Sequence, residues 1–315
     1  MIDPQLQPFL ADWARLWAEL PQPAGAADRR RHFERVAERM RQPAPSGVLA
    51  DEQHHIAVPD AGRNVRVRVF RSDAVVGPRA ALIYMHGGAW TQGSPETHWD
   101  ITARLAAACE IAVISVDYAL APEHPFPAAV DDCRAVVRWA FSEAAALGLR
   151  RDAIAVGGDS AGANLAAAMT LAFRGAQETL RAQLLVYPGM DFSHDRPSHR
   201  ENPDGPIVTV ATMPIVDAAY CPDPRDRRNP LAAPLLAESH AGLPPAFVAV
   251  AEHDPLRDSG IAYADALRAA GVPLVLDRGQ GLIHSYLRAM PYSAAARHAF
   301  DRMADWLREV CAAAR

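Results

Sequence analysis

The chain has 315 residues, half of them hydrophobic, with 32 basic and 37 acidic side chains and a formal net charge of −5. This length fits one large α/β domain or two ordinary domains, and the charge balance argues against a nucleic-acid surface or a polybasic membrane patch. Apart from histidine, every basic residue is arginine. Schiff-base and lysine-base chemistry are therefore excluded.

The four cysteines lie far apart in the sequence and form no C-x-x-C pair. This spacing predicts reduced, mostly buried thiols rather than a disulfide framework or a zinc site. The N-terminus lacks a basic region followed by an apolar run, and no stretch approaches the roughly eighteen apolar residues of a membrane span. We therefore expect a cytoplasmic protein without a secretory signal.

Apolar residues recur at helical spacing between Leu6 and Leu20, which predicts a first amphipathic helix that two prolines end. A second helix is predicted to start after Asp28 and to present Phe33 and Val36 on its inner side. We expect residues 1–47 to form an N-terminal helical cap. An ordinary N-terminal helical hairpin would have the same pattern.

From Val65 onward the pattern indicates strands. Valines alternate with other residues over 65–70, which predicts a strand with one solvated face. Short apolar runs (80–85, 111–116, 154–156, 183–187, 246–250, 274–276) then alternate with alanine-rich helical stretches (102–108, 128–147, 161–174, 261–270, 294–313). This order predicts an α/β fold, with helices on both faces of a mostly parallel central sheet, in a domain spanning residues 48–315.

One segment breaks this alternation. Residues 191–230 are rich in proline, aspartate, arginine and histidine, and their only apolar island runs from Ile207 to Ile215. A loop of this length without secondary structure of its own is uncommon in a compact domain. We expect a cap insertion over the carboxyl edge of the sheet.

The strongest local signal is Gly158-Asp159-Ser160-Ala161-Gly162, which follows a predicted strand and opens a predicted helix. In that context G-x-S-x-G is typical of a sharp turn that holds a nucleophilic serine hydroxyl above the sheet. The flanking residues are small because the turn brings backbone segments close together. Ser160 is therefore the candidate nucleophile.

A second signal, His86-Gly87-Gly88-Ala89-Trp90, directly follows another predicted strand. Consecutive small residues allow several backbone N–H groups to point at one oxygen, as an oxyanion hole requires. The candidate donors are Gly88, Ala89 and Ala161, with Gly87 as a substitute in a shifted geometry. A plain Gly-Gly turn is the alternative, which the accompanying nucleophile turn disfavours.

Five sequence blocks resemble, in order, those of the bacterial hormone-sensitive-lipase family of esterases. They are His86-Gly87-Gly88-Ala89, Asp117-Tyr118-Ala119-Leu120-Ala121-Pro122-Glu123, Gly158-Asp159-Ser160-Ala161-Gly162, Asp254-Pro255-Leu256-Arg257-Asp258 and Gly281-Leu282-Ile283-His284. The resemblance covers the chain from about Val65 to its end, and the N-terminal helices resemble the family's cap. It implies the α/β-hydrolase fold with a helical cap, and carboxylesterase activity on short to medium acyl chains.

Two positions depart from the family's pattern. Ala89 replaces the family's usual third glycine, so an N–H group is kept but the added methyl narrows the space beside the substrate carbonyl. Ala119 stands where the family usually has arginine. That departure puts in doubt a supporting ion pair with Glu123.

The acid and the base are expected later in the chain than the nucleophile, in the order Ser, Asp, His. Of the twelve histidines, only His284 follows the last core strand on a glycine-rich loop that can reach the nucleophile, and the family pattern carries most of this assignment. Asp254, at the end of a predicted strand, is the candidate acid, and the resemblance assigns it the same way. Asp258 is expected to cap a helix beginning at Ser259 or Gly260.

For other histidines we expect surface or supporting positions rather than a role as the base. His32, His54 and His298 are predicted to be solvated surface residues. His86 is expected to support the backbone of the oxyanion loop (residues 86–90), as the resemblance suggests. His253 is expected to face solvent or the insertion.

These roles predict a serine hydrolase. Ser160 attacks an ester carbonyl while His284 removes its proton, and Asp254 fixes the imidazole tautomer. The chemistry requires no metal and no organic cofactor. The expected partner is a small-molecule ester, without nucleic acid or membrane, and the resemblance adds a homodimer because the family often forms dimers.

We infer the pocket walls from residues that lie close in sequence to the catalytic loops or within the insertion. The candidates are Trp90, Ile207, Met213, Leu256, Ile283 and Tyr286. Plain packing between cap and core explains the same positions equally well.

Two other functions remain open at this point. The same three residues would also hydrolyse amides, lactones or carbamates, because the triad is indifferent to the leaving group. A ligand receptor that uses the fold without turnover is the second, and the presence of His284 with Ser160 and Asp254 disfavours it.

Overall fold

An eight-stranded sheet forms the centre of the computed structural model, which describes residues 1–59 and 61–313, the side chain of Asp51 excepted. The strands are β1 (Val48–Val58), β2 (Arg63–Ser72), β3 (Arg79–Met85), β4 (Ala112–Asp117), β5 (Leu149–Asp159), β6 (Gln183–Val186), β7 (Ala246–Ala249) and β8 (Leu274–Asp277). Their spatial order is β1-β2-β4-β3-β5-β6-β7-β8. Only the β1–β2 and β2–β4 pairs are antiparallel, so the mostly parallel sheet predicted from the sequence is confirmed.

Helices cover both faces of this sheet. They are α1 (Gln7–Trp17), α2 (Ala26–Met40), α3 (Trp99–Cys109), α4 (Ala128–Ser142), α5 (Ala161–Ala172), α6 (Pro197–Glu201), α7 (Met213–Tyr220), α8 (Arg257–Ala269) and α9 (Ala294–Ala312). Successive residues of β3 point to opposite faces: Ile83 packs in the cluster containing α4, α5 and α8, and Leu82 in the cluster containing α3 and α9. Two cores therefore hold the sheet between them.

The sequence prediction differs from the structure at several element boundaries. Strand β1 was not predicted, because its polar stretch 52–55 lacks the apolar alternation of β2. Helix α4 ends at Ser142 rather than at residue 147, and residues 144–148 form a turn that leads through Gly148, at φ +62°, into β5. Helix α8 begins at Arg257, before Asp258, so Asp258 lies in its first turn and does not cap a helix starting at Ser259 or Gly260.

The N-terminal helices pack onto the main body. Phe9 of α1 has no exposed surface and joins the core between the sheet and α9, where its ring lies 5.8 Å from that of Tyr292. Helix α2 begins at Ala26 rather than after Asp28, and the Asp28 carboxylate accepts a hydrogen bond from Gly25 N. His32 was predicted to be solvated but is only 3% exposed, and its Nε2 lies 2.9 Å from the Leu16 carbonyl oxygen, which ties α2 to α1.

The segment 191–230 contains short helices rather than one bare loop. Besides α6 and α7, it holds two short 3-10 turns and an isolated bridge between Asp204 and Thr209. Ser198 of α6 donates from its hydroxyl to the Pro255 carbonyl, so this segment is attached to the loop that follows β7. Among residues 1–59 and 61–313, no helix combines the length and apolar character needed to cross a membrane.

Candidate active site

The turn between β5 and α5 holds Ser160 in a backbone conformation that is uncommon for a residue with a side chain. Its φ is +54° and its ψ is −121°, and Ala161 begins α5 immediately afterwards. A Cβ atom at Gly158 or at Gly162 would collide with the Met85 carbonyl at the end of β3. The small residues of G-x-S-x-G are therefore required by close backbone contact, and Ser160 is left partly exposed above the sheet.

Three side chains predicted from the sequence meet at this turn. His284 Nε2 lies 2.9 Å from Ser160 Oγ, and His284 Nδ1 lies 2.7 Å from Asp254 Oδ2. Asp254 has no exposed surface, and its Oδ1 accepts a hydrogen bond from Leu256 N at 2.9 Å. The carboxylate is thereby held on both oxygens and aims one of them at the imidazole.

The other acidic and basic candidates near this site lie elsewhere. Asp258 accepts hydrogen bonds from Ser198 N and from Arg257 Nε, and so joins α8 to α6. The side chain of His253 is partly exposed, with its Nε2 3.7 Å from Glu252. Neither is bonded to His284 or Ser160.

The loop after β3 has an unusual run of backbone angles. Gly88, Ala89 and Trp90 have φ values of +130°, +54° and +54°. Among the described residues, no group accepts a hydrogen bond from the N–H of Gly88, Ala89 or Ala161. The N–H of Gly87, by contrast, donates to Asp159 Oδ1 at 2.9 Å, so the proposed substitute donor is already occupied.

Asp159 is a buried anion that the sequence analysis did not single out. Besides Gly87 N, its carboxylate accepts hydrogen bonds from the hydroxyls of Tyr84 at 2.8 Å and Tyr187 at 3.3 Å, and His98 Nε2 lies 3.4 Å away. Burial disfavours its ionisation, but nearby His98 and the positive charge of Arg288 outweigh burial and lower the pKa of Asp159. The available signal was an acidic residue inside a motif otherwise composed of small residues.

His86 supports the same loop from its other side. Its Nδ1 lies 2.9 Å from the Gly87 carbonyl oxygen, and the hydroxyl of Tyr118 donates to the His86 carbonyl at 2.7 Å. The rings of His86 and Tyr118 stack with centroids 4.2 Å apart. Burial, with a smaller contribution from His98, lowers the pKa of His86 to about 3, so this imidazole is neutral at neutral pH.

The ion pair with Glu123 that Ala119 cannot form is formed by a residue from the N-terminal helices. Glu123 pairs with Arg30 of α2, whose Nη2 lies 2.5 Å from Glu123 Oε2. A supporting ion pair is therefore present, although its arginine comes from another part of the chain.

The candidate wall residues fall into two groups. The ring of Trp90 stacks on that of Tyr220, with centroids 4.2 Å apart. The side chains that are partly exposed are Ile207, Met213 and Leu256. Ile283 and Tyr286 have no exposed surface and pack in the core shared with α3 and α9. In this conformation these two side chains do not line an open cavity, because both are fully enclosed by that core.

Known proteins share both the sequence and the fold of this chain. A family model described as α/β hydrolase fold matches residues 82–288. Carboxylesterase NlhH of Mycobacterium tuberculosis is 39% identical over 247 residues, 77% of this chain and 77% of that protein. The arylesterase of Saccharolobus solfataricus is 42% identical over 208 residues, 65% of this chain and 68% of that protein. The solved structure of a hyperthermophilic esterase from Pyrobaculum calidifontis has a TM-score of 0.88 at 34% identity and covers 99% of each chain.

The matched region contains the oxyanion loop, the nucleophile turn, Asp254 and His284. It spans more than half of the chain, and the fold on which these residues lie matches solved esterases with TM-scores of 0.88 and 0.91. The chain therefore belongs to the α/β-hydrolase fold family, in its hormone-sensitive-lipase-like group.

Proposed function

We propose that this protein is a serine hydrolase that cleaves carboxylic esters through an acyl-enzyme intermediate. The observation that carries this proposal is the hydrogen-bonded series Asp254–His284–Ser160 at a strained strand-to-helix turn. The names of its relatives, which include carboxylesterase and arylesterase, support the choice of an ester bond.

Each of the three side chains has one role in this reaction. Ser160 Oγ attacks the ester carbonyl while His284 Nε2 takes the hydroxyl proton, and the same proton then goes to the leaving alcohol. Asp254 holds the imidazole by its Nδ1–H and stabilises the imidazolium that forms. Water, deprotonated by His284, then attacks the acyl-enzyme and releases the acid with free Ser160.

The negative charge of the tetrahedral intermediate is stabilised by backbone donors. We assign this role to the N–H groups of Gly88, Ala89 and Ala161, and Ala161 adds the unpaired N-terminal N–H of α5. Gly87 is removed from the set of donors because its N–H is bonded to Asp159. Its role in the proposal is to attach the oxyanion loop to the nucleophile turn.

The substrate is proposed to be a small-molecule ester of short to medium acyl chain. Residues 1–47 and the insertion at 191–230 would together form a cap that limits chain length. The wall candidates with exposed surface are Ile207, Met213 and Leu256, and Trp90 is nearly buried. The cytoplasmic location and the homodimer stay predictions.

Hydrolysis of p-nitrophenyl esters from acetate to dodecanoate tests this proposal. We expect turnover to be highest with short chains, and kcat to fall by at least about 10⁴-fold in Ser160→Ala, since removal of the nucleophile leaves only binding and oxyanion contacts. Ser239→Ala, at an exposed serine, is the matched control and should retain wild-type kcat. A folded wild-type protein without activity on the whole series would contradict the proposal.

A further inference from the structure

Arg30 of α2 binds the segment that continues the oxyanion loop. Its Nε donates to the Thr91 carbonyl at 2.8 Å, and its Nη2 donates to the Ala121 carbonyl at 2.7 Å and to Glu123 Oε2 at 2.5 Å. Residue 91 directly follows Trp90, whereas residues 121 and 123 belong to the turn after β4. One guanidinium therefore joins two loops that come from different strands.

The two loops also contact each other at the same place. Ala121 N donates to the Trp90 carbonyl at 2.9 Å, one residue before the carbonyl that Arg30 binds. Ala89 and Trp90 both have φ of +54°, a conformation that residues with a Cβ hold only when the surroundings impose it. The contacts of Arg30 lie where such an external restraint is needed.

Other residues of the same helical segment bind the same stretch of chain. Ser94 Oγ donates to Glu34 Oε1 at 3.1 Å, and Arg41 Nη2 donates to the Glu96 carbonyl at 3.1 Å. Residues 30, 34 and 41 therefore bind residues 91, 94 and 96, respectively, in the same order along the chain. Of these three, Arg30 is the one adjacent to the proposed oxyanion donors.

We infer that Arg30 is a positioning residue of the reaction, which holds the N–H groups of Gly88 and Ala89 in place through the Thr91 and Ala121 carbonyls. This inference rests on the proposed function. A planar guanidinium suits the task because it directs several N–H donors at fixed angles to separate acceptors. The N-terminal helices then act on the rate of acyl transfer as well as on access to the site.

The position of the oxyanion donors should affect kcat more than KM. An oxyanion exists in the tetrahedral transition state and intermediate but not in the bound ester, so these donors act mainly on the chemical step. A loop displaced by a fraction of an ångström still allows the ester to bind. It no longer presents both N–H groups to the developing charge.

Arg30→Ala and the matched control Arg31→Ala test the inference. Arg31 is the next residue of α2, largely exposed, and its ion pair is with Asp28. With p-nitrophenyl acetate we expect kcat of Arg30→Ala, per phosphonate-titrated serine, to fall about 10- to 100-fold with KM within about twofold. Arg31→Ala should match wild type. Millimolar methylguanidinium should restore part of the lost kcat, because the Arg30 side chain is 24% exposed and its site is accessible.

Two further variants separate the carbonyl contacts from the ion pair. Glu123→Gln removes the charge partner and keeps both carbonyls, so its kcat should fall less than that of Arg30→Ala. Arg30→Lys supplies one ammonium, which cannot reach Thr91 and Ala121 at the guanidinium's angles, so its kcat should lie between those of Arg30→Ala and wild type. If Arg30→Ala does not fold, Arg30→Lys and Glu123→Gln decide the question.

The possible failures are distinguishable. A wild-type protein without esterase activity contradicts the proposed function itself. An active wild type with unchanged kcat in Arg30→Ala, or in Arg30→Lys where only that variant folds, overturns the inference alone. A loss of total activity that only matches the loss of titratable serine, with kcat per titrated serine unchanged and no rescue by methylguanidinium, would indicate a purely structural role and would also overturn it.

Discussion

The side chain of Asp159 joins several groups at the nucleophile turn. It is bonded to the backbone of Gly87 and to the hydroxyls of Tyr84 and Tyr187, and it lies beside His98. A buried carboxylate is tolerated only when such partners replace its hydration. These bonds connect the nucleophile turn to the oxyanion loop through one anion.

We expect Asp159→Asn to lower both stability and kcat. The amide has the same shape but lacks the charge, and its NH₂ group replaces a carboxylate oxygen that accepts a hydrogen bond, so the free energy of unfolding should fall by about 2 kcal/mol. With the Gly87 contact weakened, kcat should fall about tenfold or more. Urea unfolding and p-nitrophenyl acetate kinetics measure the two effects.

The control for this variant is Asp152→Asn, on the same strand β5, where the carboxylate is exposed and paired with Arg150. It should leave both quantities near the wild-type values. If Asp159→Asn changes stability and kcat as little as Asp152→Asn does, the buried anion is dispensable.

Of all features of the site, the sequence predicted best which three side chains come together. The serine of G-x-S-x-G, a following aspartate and a late histidine identify themselves by residue type and chain order, and His284 does lie within hydrogen-bonding distance of both Ser160 and Asp254. Asp159 was missed because its partners Tyr84, His98 and Tyr187 come from separate parts of the chain. No local pattern predicts that convergence.

Strand β2 illustrates a difference at the scale of elements. Its alternation predicted a solvated face, but Arg66 and Arg68 on that face are engaged by Glu96, at 2.6 Å and 3.1 Å, and Arg66 also by Asp117 at 2.9 Å. Burial alone would raise the pKa of Glu96, but the hydrogen bonds and charges of these arginines outweigh it and lower the pKa to about 2. The network attaches β2 to the chain that follows the oxyanion loop.

Glu96→Gln should therefore destabilise the protein in a pH-dependent manner. The folded-state pKa lies below the usual value of 4.5, so the stabilisation is fully present above that value and is lost as the pH falls towards about 2. Allowing for solvent screening of this partly exposed group, we expect a loss of about 1–2 kcal/mol at pH 7. Urea unfolding at pH 7 and at pH 3.5 should give a smaller difference at the lower pH.

Exposed Glu309, on α9, provides the control, and Glu309→Gln should change stability little at either pH. A loss in Glu96→Gln that is equal at both pH values would contradict the electrostatic explanation and would indicate a packing effect instead.

For the molecule as a whole, the sheet and its helices followed from the alternation of apolar runs with helical stretches, because buried parallel strands have a distinct composition. The contacts of α2 with the oxyanion loop could not be predicted in this way. Arg30 has the same local sequence context as Arg29 and Arg31, and only the docking of the helix selects it. The inward burial of Ile283 and Tyr286 likewise depends on the course of a loop rather than on residue type.

The central claim is that Ser160 is the nucleophile, and covalent labelling tests it most directly. Ser160 Oγ should attack the phosphorus of diethyl p-nitrophenyl phosphate and release p-nitrophenolate to solvent. One diethylphosphoryl group per chain should then be located on Ser160 by peptide mass spectrometry and be absent from Ser160→Ala. A folded wild-type protein that stays unlabelled, or that carries the group on another residue, would contradict the account.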